Sequence, residues 1–91
     1  MKKVYEVLIT EYEFDQKRIR SLGLYRREKD AIRRAQNEIE YLMGVFGYPE
    51  NKIEEEFRNF PEKKLTTFHD WEQITFYVLE VAPREVHKKL T

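Results

Sequence analysis

The sequence predicts an α+β domain: an antiparallel sheet of three or four strands with one long helix packed on one face, in the order β-β-α-(α)-(β)-β. Two stretches carry that prediction. Residues 3–14, "KVYEVLITEYEF", are rich in Val, Ile, Tyr and Phe, with acids set between apolar residues, the composition of a strand. Residues 27–46 repeat their apolar side chains with a helical period instead. At about 100° per residue, Ala31, Ile32, Ala35, Ile39, Leu42, Met43 and Phe46 fall within an arc of roughly 120°. A sheet and an amphipathic helix each leave an apolar side that only the other can bury, so the helix is expected on the sheet.

Along the first strand Tyr5, Val7 and Ile9 share one face, and Leu8, Tyr12 and Phe14 point to the other. The polar "DQKR" reads as a turn and "IRSLGLY" as the returning strand of a hairpin. Gly23 inside that strand signals a bulge or the close approach of another backbone. In the helix, Glu28 and Asp30 occupy the first turn, where acids suit the helix dipole. Gly44 weakens its last turn, and "GYP" at 47–49 stops it.

"ENKIEEEFRNF" (50–60) fits a second short helix, with Ile53, Phe57 and Phe60 at spacings of four and three and Pro61 as its end. Residues 65–69 read as a strand and the residues after them as a turn. "ITFYVLEV" (74–81) is a strand with Ile74, Phe76 and Val78 on one face and Tyr77, Leu79 and Val81 on the other. Apolar on both sides, it belongs in the interior of the sheet. Pro83 is expected to end it, leaving "REVHKKLT" as a tail. Ile39, Leu42 and Phe76 are expected to meet between helix and sheet.

Ninety-one residues suffice for one modest core and not for two, so residues 1–91 are expected to form a single domain. There is no cysteine, which removes disulfides, thiolate metal sites and Cys nucleophiles together and suits a reducing compartment. No run approaches the roughly 20 apolar residues of a membrane span. Glu6 and Glu11 interrupt the opening run below the roughly 7–15 apolar residues of a signal peptide. The expectation is a soluble, cytoplasmic chain with no membrane partner.

Basic and acidic residues balance at 17 each, yet they are not evenly spread. Residues 17–34 hold Lys17, Arg18, Arg20, Arg26, Arg27, Lys29, Arg33 and Arg34 against only Glu28 and Asp30. Guanidinium groups present parallel donors that match phosphate oxygens, and Tyr25 and Tyr41 offer rings for stacking. Arg18 and Arg20 alternate in phase on the strand. They would join Arg26, Arg27, Arg33 and Arg34 in one patch if that edge lay beside the helix start. The plainer reading is a solvated helix face, with Arg34 spaced to pair with Asp30 and Glu38.

Other chemistry is sparse. "FHDWE" gathers His69, Asp70 and Glu72, but a metal site needs three or four converging ligands and the other histidine, His87, is in the tail. With a single serine, Ser21, and three glycines, no nucleophile constellation or phosphate loop is visible, and no cofactor or metal is implied. Catalytic groups are therefore scarce while aromatics are abundant, at one Trp, six Tyr and six Phe.

The leading expectation is a non-enzymatic binding module acting through protein–protein contact, with itself as a homodimer or with another protein. The alternative is a nucleic-acid-binding or regulatory protein using segment 17–34, with Arg18, Arg20, Arg26, Arg27, Arg33, Arg34 and Tyr41 as its contacts. A one-sided helix leaves a second sheet face to be covered. Either segment 47–61 folds over it or a second copy does, and the second copy is favoured. The sheet edges are expected at "KRIRSLGLY", guarded by Lys17, Arg18 and Arg20, and at "KLTTF".

Overall fold

Strand β1 (Lys2–Glu13) turns back on β2 (Gln16–Tyr25) through a two-residue loop, Phe14 and Asp15. The computed structural model describes residues 2–60, 65–70, 72 and 75–86. "DQKR" is thus mostly strand: Glu13 already pairs with Gln16, and Tyr12 with Lys17. Those polar side chains belong to an exposed outer strand, which composition alone does not distinguish from a turn. Phe14 adopts φ 55°, a left-handed backbone that bulky residues rarely occupy.

Farther along the hairpin the register shifts between Val7, opposite Gly23, and Leu8, opposite Ser21, so Leu22 is the inserted residue of a β-bulge. Gly23 has φ 139°, and a Cβ there would stand 3.1 Å from the Tyr25 ring. The glycine therefore answers both a strained backbone and a close approach.

Helix α1 (Glu28–Val45) starts after Arg27 with Glu28 and Asp30 in its first turn. It ends in a Schellman motif: the Gly47 N–H donates to the Gly44 carbonyl and the Tyr48 N–H to the Met43 carbonyl, with Gly47 at φ 84°. Pro49 then opens helix α2 (Glu50–Asn59), which turns alongside α1. The Gln36 side chain donates to the Phe57 carbonyl at 3.0 Å, tying the two helices together.

Strands β3 (Leu65–Asp70) and β4 (Thr75–Val86) complete a four-stranded antiparallel sheet of order β2-β1-β4-β3. The fold is α+β, with both helices on one face. As the apolar patterns require, β4 lies inside the sheet while β2 and β3 form its edges. Pro83 does not end β4, which continues to Val86 with Pro83 opposite Tyr5. β3 pairs only with residues 75–80, so the stretch around Pro83 has an open side where a missing N–H costs no ladder bond. Pro61, Trp71, Ile74 and residues 87–91, which the sequence reading also used, lie outside the described residues.

The core is the set Val7, Ile9, Leu79, Val81 and Phe68 from the sheet against Ala31, Ala35, Ile39 and Met43 from α1, with Phe60 closing it after α2. The helical stripe faces the sheet as expected, but Ile32, Phe46 and also Leu42, expected in the interior, are only half-buried at the core's margin. Phe76 does not join them. Its strand register places it with Tyr12 on the opposite sheet face, and it is the Tyr77, Leu79 and Val81 side of β4 that meets the helices. β4 is apolar on both sides, so periodicity alone leaves its orientation open.

Candidate functional site

The face of the sheet turned away from the helices is built from the register. Lys17, Tyr12, Phe76 and His69 form one row across the four strands; Ile19, Thr10, Val78 and Thr67 form the next; Ser21, Leu8, Glu80 and Leu65 the third. Both helices pack on the other side, and α2 belongs to that same layer: Thr66 Oγ1, on the helix side of β3, donates to Glu56 Oε2 at 2.7 Å. Segment 47–61 therefore does not cover this face in its described part, contrary to the cover considered from the sequence. A fifteen-residue strap could have crossed an edge, but Tyr48, Ile53 and Phe60 are all drawn into the helix-side core.

The open face carries large side chains together. Ile19 is 59 % exposed and Leu24 62 %, with Leu65 and Phe76 also exposed and Leu8, Tyr12 and Val78 half-buried among them. Thr10, in the middle of this face, is buried. The Tyr12 and Phe76 rings stack face to face, centroids 4.5 Å apart and planes within 9°, and His69 leans on Phe76 at 5.8 Å. Stacked this way, each ring gives one face to the other, and His69 takes further surface of Phe76, so the pair offers a partner mainly its edges. At the far end the Arg84–Glu6 ion pair, at 3.2 Å, bounds the apolar rows. From Tyr12 to Glu6 the field runs roughly 20 Å along the strands and 15 Å across them, a size at which exposed apolar patches mark contact surfaces.

On the helix side, α1 leaves the hairpin end of the sheet uncovered. A trough of about 500 Å³ opens there, lined by Ile9, Glu11, Arg18, Ile19, Arg20 and Tyr77. Glu11 lies between Arg18 on β2 and Tyr77 on β4 in one cross-strand row. Burial first, and then a hydrogen bond to the Glu11 carboxylate, pushes the Tyr77 hydroxyl up to about 12, so it stays a proton donor at any physiological pH. Neither Arg18 nor Arg20 makes a hydrogen bond or ion pair among the described residues.

The arginines of segment 17–34 fall into separate groups. Arg18 and Arg20 lie near the hairpin loop, while Arg26 and Arg27 follow the other end of β2, about 20 Å away at the rise of a strand. Arg33 is exposed on α1. Arg34 is engaged by Glu38, Nη1 to Oε1 at 2.8 Å, the pairing its spacing implied. Tyr41 is 65 % exposed on α1, two turns beyond Arg33 and Arg34. Tyr25 belongs to the margin of the core.

In "FHDWE", strand alternation sends His69 to the open face and Asp70 to the helix side, where the Glu72 N–H donates to the Asp70 carboxylate. Among the described residues no three His, Asp or Glu groups converge as cation ligands, and no helix is long and apolar enough to cross a membrane. Sequence reasoning missed Ile19 and Tyr77 as surface residues of interest. The double-sided apolar pattern of β1 was the available signal, but their grouping depends on register. No protein-family model, no curated protein and no solved structure matches the chain.

Proposed function

We propose that the protein is a non-enzymatic binding module that acts through protein–protein contact, with the open sheet face as its working surface and a second copy of the chain as its occupant. The observation that carries this reading is the set Leu8, Tyr12, Ile19, Val78 and Phe76, which the helices leave uncovered and which sits on paired strands instead of being scattered over loops. A flat apolar face of this kind is self-complementary under a two-fold axis, which lets two sheets stack about 10 Å apart as in a sandwich. Ring edges and aliphatic side chains suit another protein surface better than nucleobases, which need free ring faces. That geometry ranks protein contact above the nucleic-acid reading of segment 17–34.

The test is the mass in solution by light scattering at micromolar concentration, for the wild type and for Ile19→Lys. Ile19 is largely exposed, so a lysine there leaves the chain's own core intact. The wild type is expected near twice the 11.2 kDa of one chain and the variant near 11.2 kDa. A wild type that stays at the monomer mass rules out the second copy as occupant.

A further inference from the structure

A sheet with open edges must guard them, because an unpaired row of N–H and C=O groups templates another strand. Among the described residues four edge stretches are longer than three residues, and three of them carry a recognisable block. On β3 the His69 N–H donates to the Tyr48 hydroxyl at 2.8 Å, so a side chain from the α1–α2 link already occupies that edge. On β4 beyond the reach of β3, Pro83 removes a donor. On β2 from Ser21 onward, the bulge breaks the ladder and the Gly23 N–H is turned to Ser21 Oγ at 3.3 Å. The remaining stretch is the hairpin half of β2, residues 16–20, regular, exposed along its length and free of proline.

That stretch carries Lys17, Arg18 and Arg20, and the plain reading is that cations alone deter strand addition. The placement of the arginines says more. Both are on the helix side, two residues apart, at the rim of the trough, and neither is paired. A strand added along β2 would place its own alternate side chains about 5 Å from theirs and at the same spacing along the strand. Carboxylates at positions i and i+2 would then each meet a guanidinium. The residue between them would fall on the other face beside Ile19, which is apolar and exposed. Glu11, the one acid in the trough, is held by the Tyr77 hydroxyl.

We infer that residues 16–20 of β2 form a strand-addition site for an extended acidic peptide segment of alternating acid and apolar residues, recognised by backbone pairing and by Arg18 and Arg20. A second copy fits this edge poorly. Antiparallel β2–β2 pairing centred on Ile19 puts Arg18 directly opposite Arg20, a like-charge contact. A nucleic acid would meet the cations but leave the backbone groups of the edge unpaired. This edge adjoins the open face at Ile19, but its occupancy is read by peptide anisotropy and exchange at residues 16–20, whereas the open face is read by mass.

The experiment titrates the full-length protein with a terminally blocked peptide of alternating Glu and Val, read by fluorescence anisotropy and by amide hydrogen exchange. Controls are the same peptide with proline replacing its valines and a single-stranded oligonucleotide of equal charge. The expected result is saturable binding at low salt, weakened about tenfold by Arg18→Gln with Arg20→Gln, lost with the proline peptide, and accompanied by slowed exchange within residues 16–20. Equal binding of the proline peptide would reduce the site to bulk charge and overturn the inference. So would tighter binding of the oligonucleotide, slowed exchange of residues 16–20 already present in the peptide-free protein, or no peptide binding at all.

Discussion

The two faces of this sheet are made of the same residue types and end in opposite states. On the helix side Val7, Ile9, Leu79 and Val81 are buried under α1. On the other side, drawn from the same two strands, Leu8, Val78 and Tyr12 stay half-buried and Phe76 is exposed. Composition does not separate them; what separates them is the path of the chain after β2. The bulge at Leu22 and the turn at Arg26 and Arg27 deliver α1 to one side, and the Schellman motif at Gly47 returns α2 to that same side. Among the described residues the sheet is apolar on both faces but layered by helices on one.

The widest separation between the faces is expected in stability. Ile39 and Leu79 are fully buried, so Ile39→Ala or Leu79→Ala should cost about 2–5 kcal/mol in urea unfolding, whereas Ile19→Ala on the open face of the monomeric form should stay within about 0.5 kcal/mol. Equal losses on both faces would erase the distinction. Gly23→Ala tests the bulge that steers the chain to one side: strained φ and contact with the Tyr25 ring should cost about 1–3 kcal/mol, read as a lower urea midpoint.

Phe14→Gly should act in the opposite direction. Its ring is 89 % exposed and packs on little, while glycine relieves the left-handed backbone, for a gain of up to about 1 kcal/mol. A loss would mean that the ring has a contact at the hairpin tip.

The smallest effect concerns the trough. The Tyr77 proton is held more tightly in the folded chain than in the unfolded one, so the folded state binds more protons between about pH 10 and 12. Stability contributed by this group is fully present below pH 10 and is lost as pH rises towards 12. Tyr77→Phe should flatten that alkaline decline relative to wild type in thermal melts taken from pH 9 to 12.

Much of this architecture is legible in the sequence. The stripe from Ala31 to Phe46 specifies α1 and its buried side, and the glycine in "SLGLY" announces the bulge. The order of strands follows from which ones are apolar on both sides. Two things are not legible, for physical reasons. Phe76 and Leu79 sit on faces of equal apolarity, so only the docking of α1 decides which is core. Arg20 and Arg26 are close in sequence, yet an extended strand separates neighbours as fast as a chain can, so a dense basic segment becomes two distant groups. The trough formed by Glu11, Arg18 and Tyr77 joins residues up to 66 positions apart and exists only through register.

The most direct test of the open face is isotope-filtered NMR on a mixture of ¹³C-labelled and unlabelled chains at a concentration where association is complete. Stacked sheets place the Leu8, Ile19 and Val78 methyl groups of one chain against the Tyr12 and Phe76 rings of the other, and intermolecular NOEs should connect those groups. Intermolecular NOEs confined to the outer surfaces of α1 and α2, or none at all, would contradict the account.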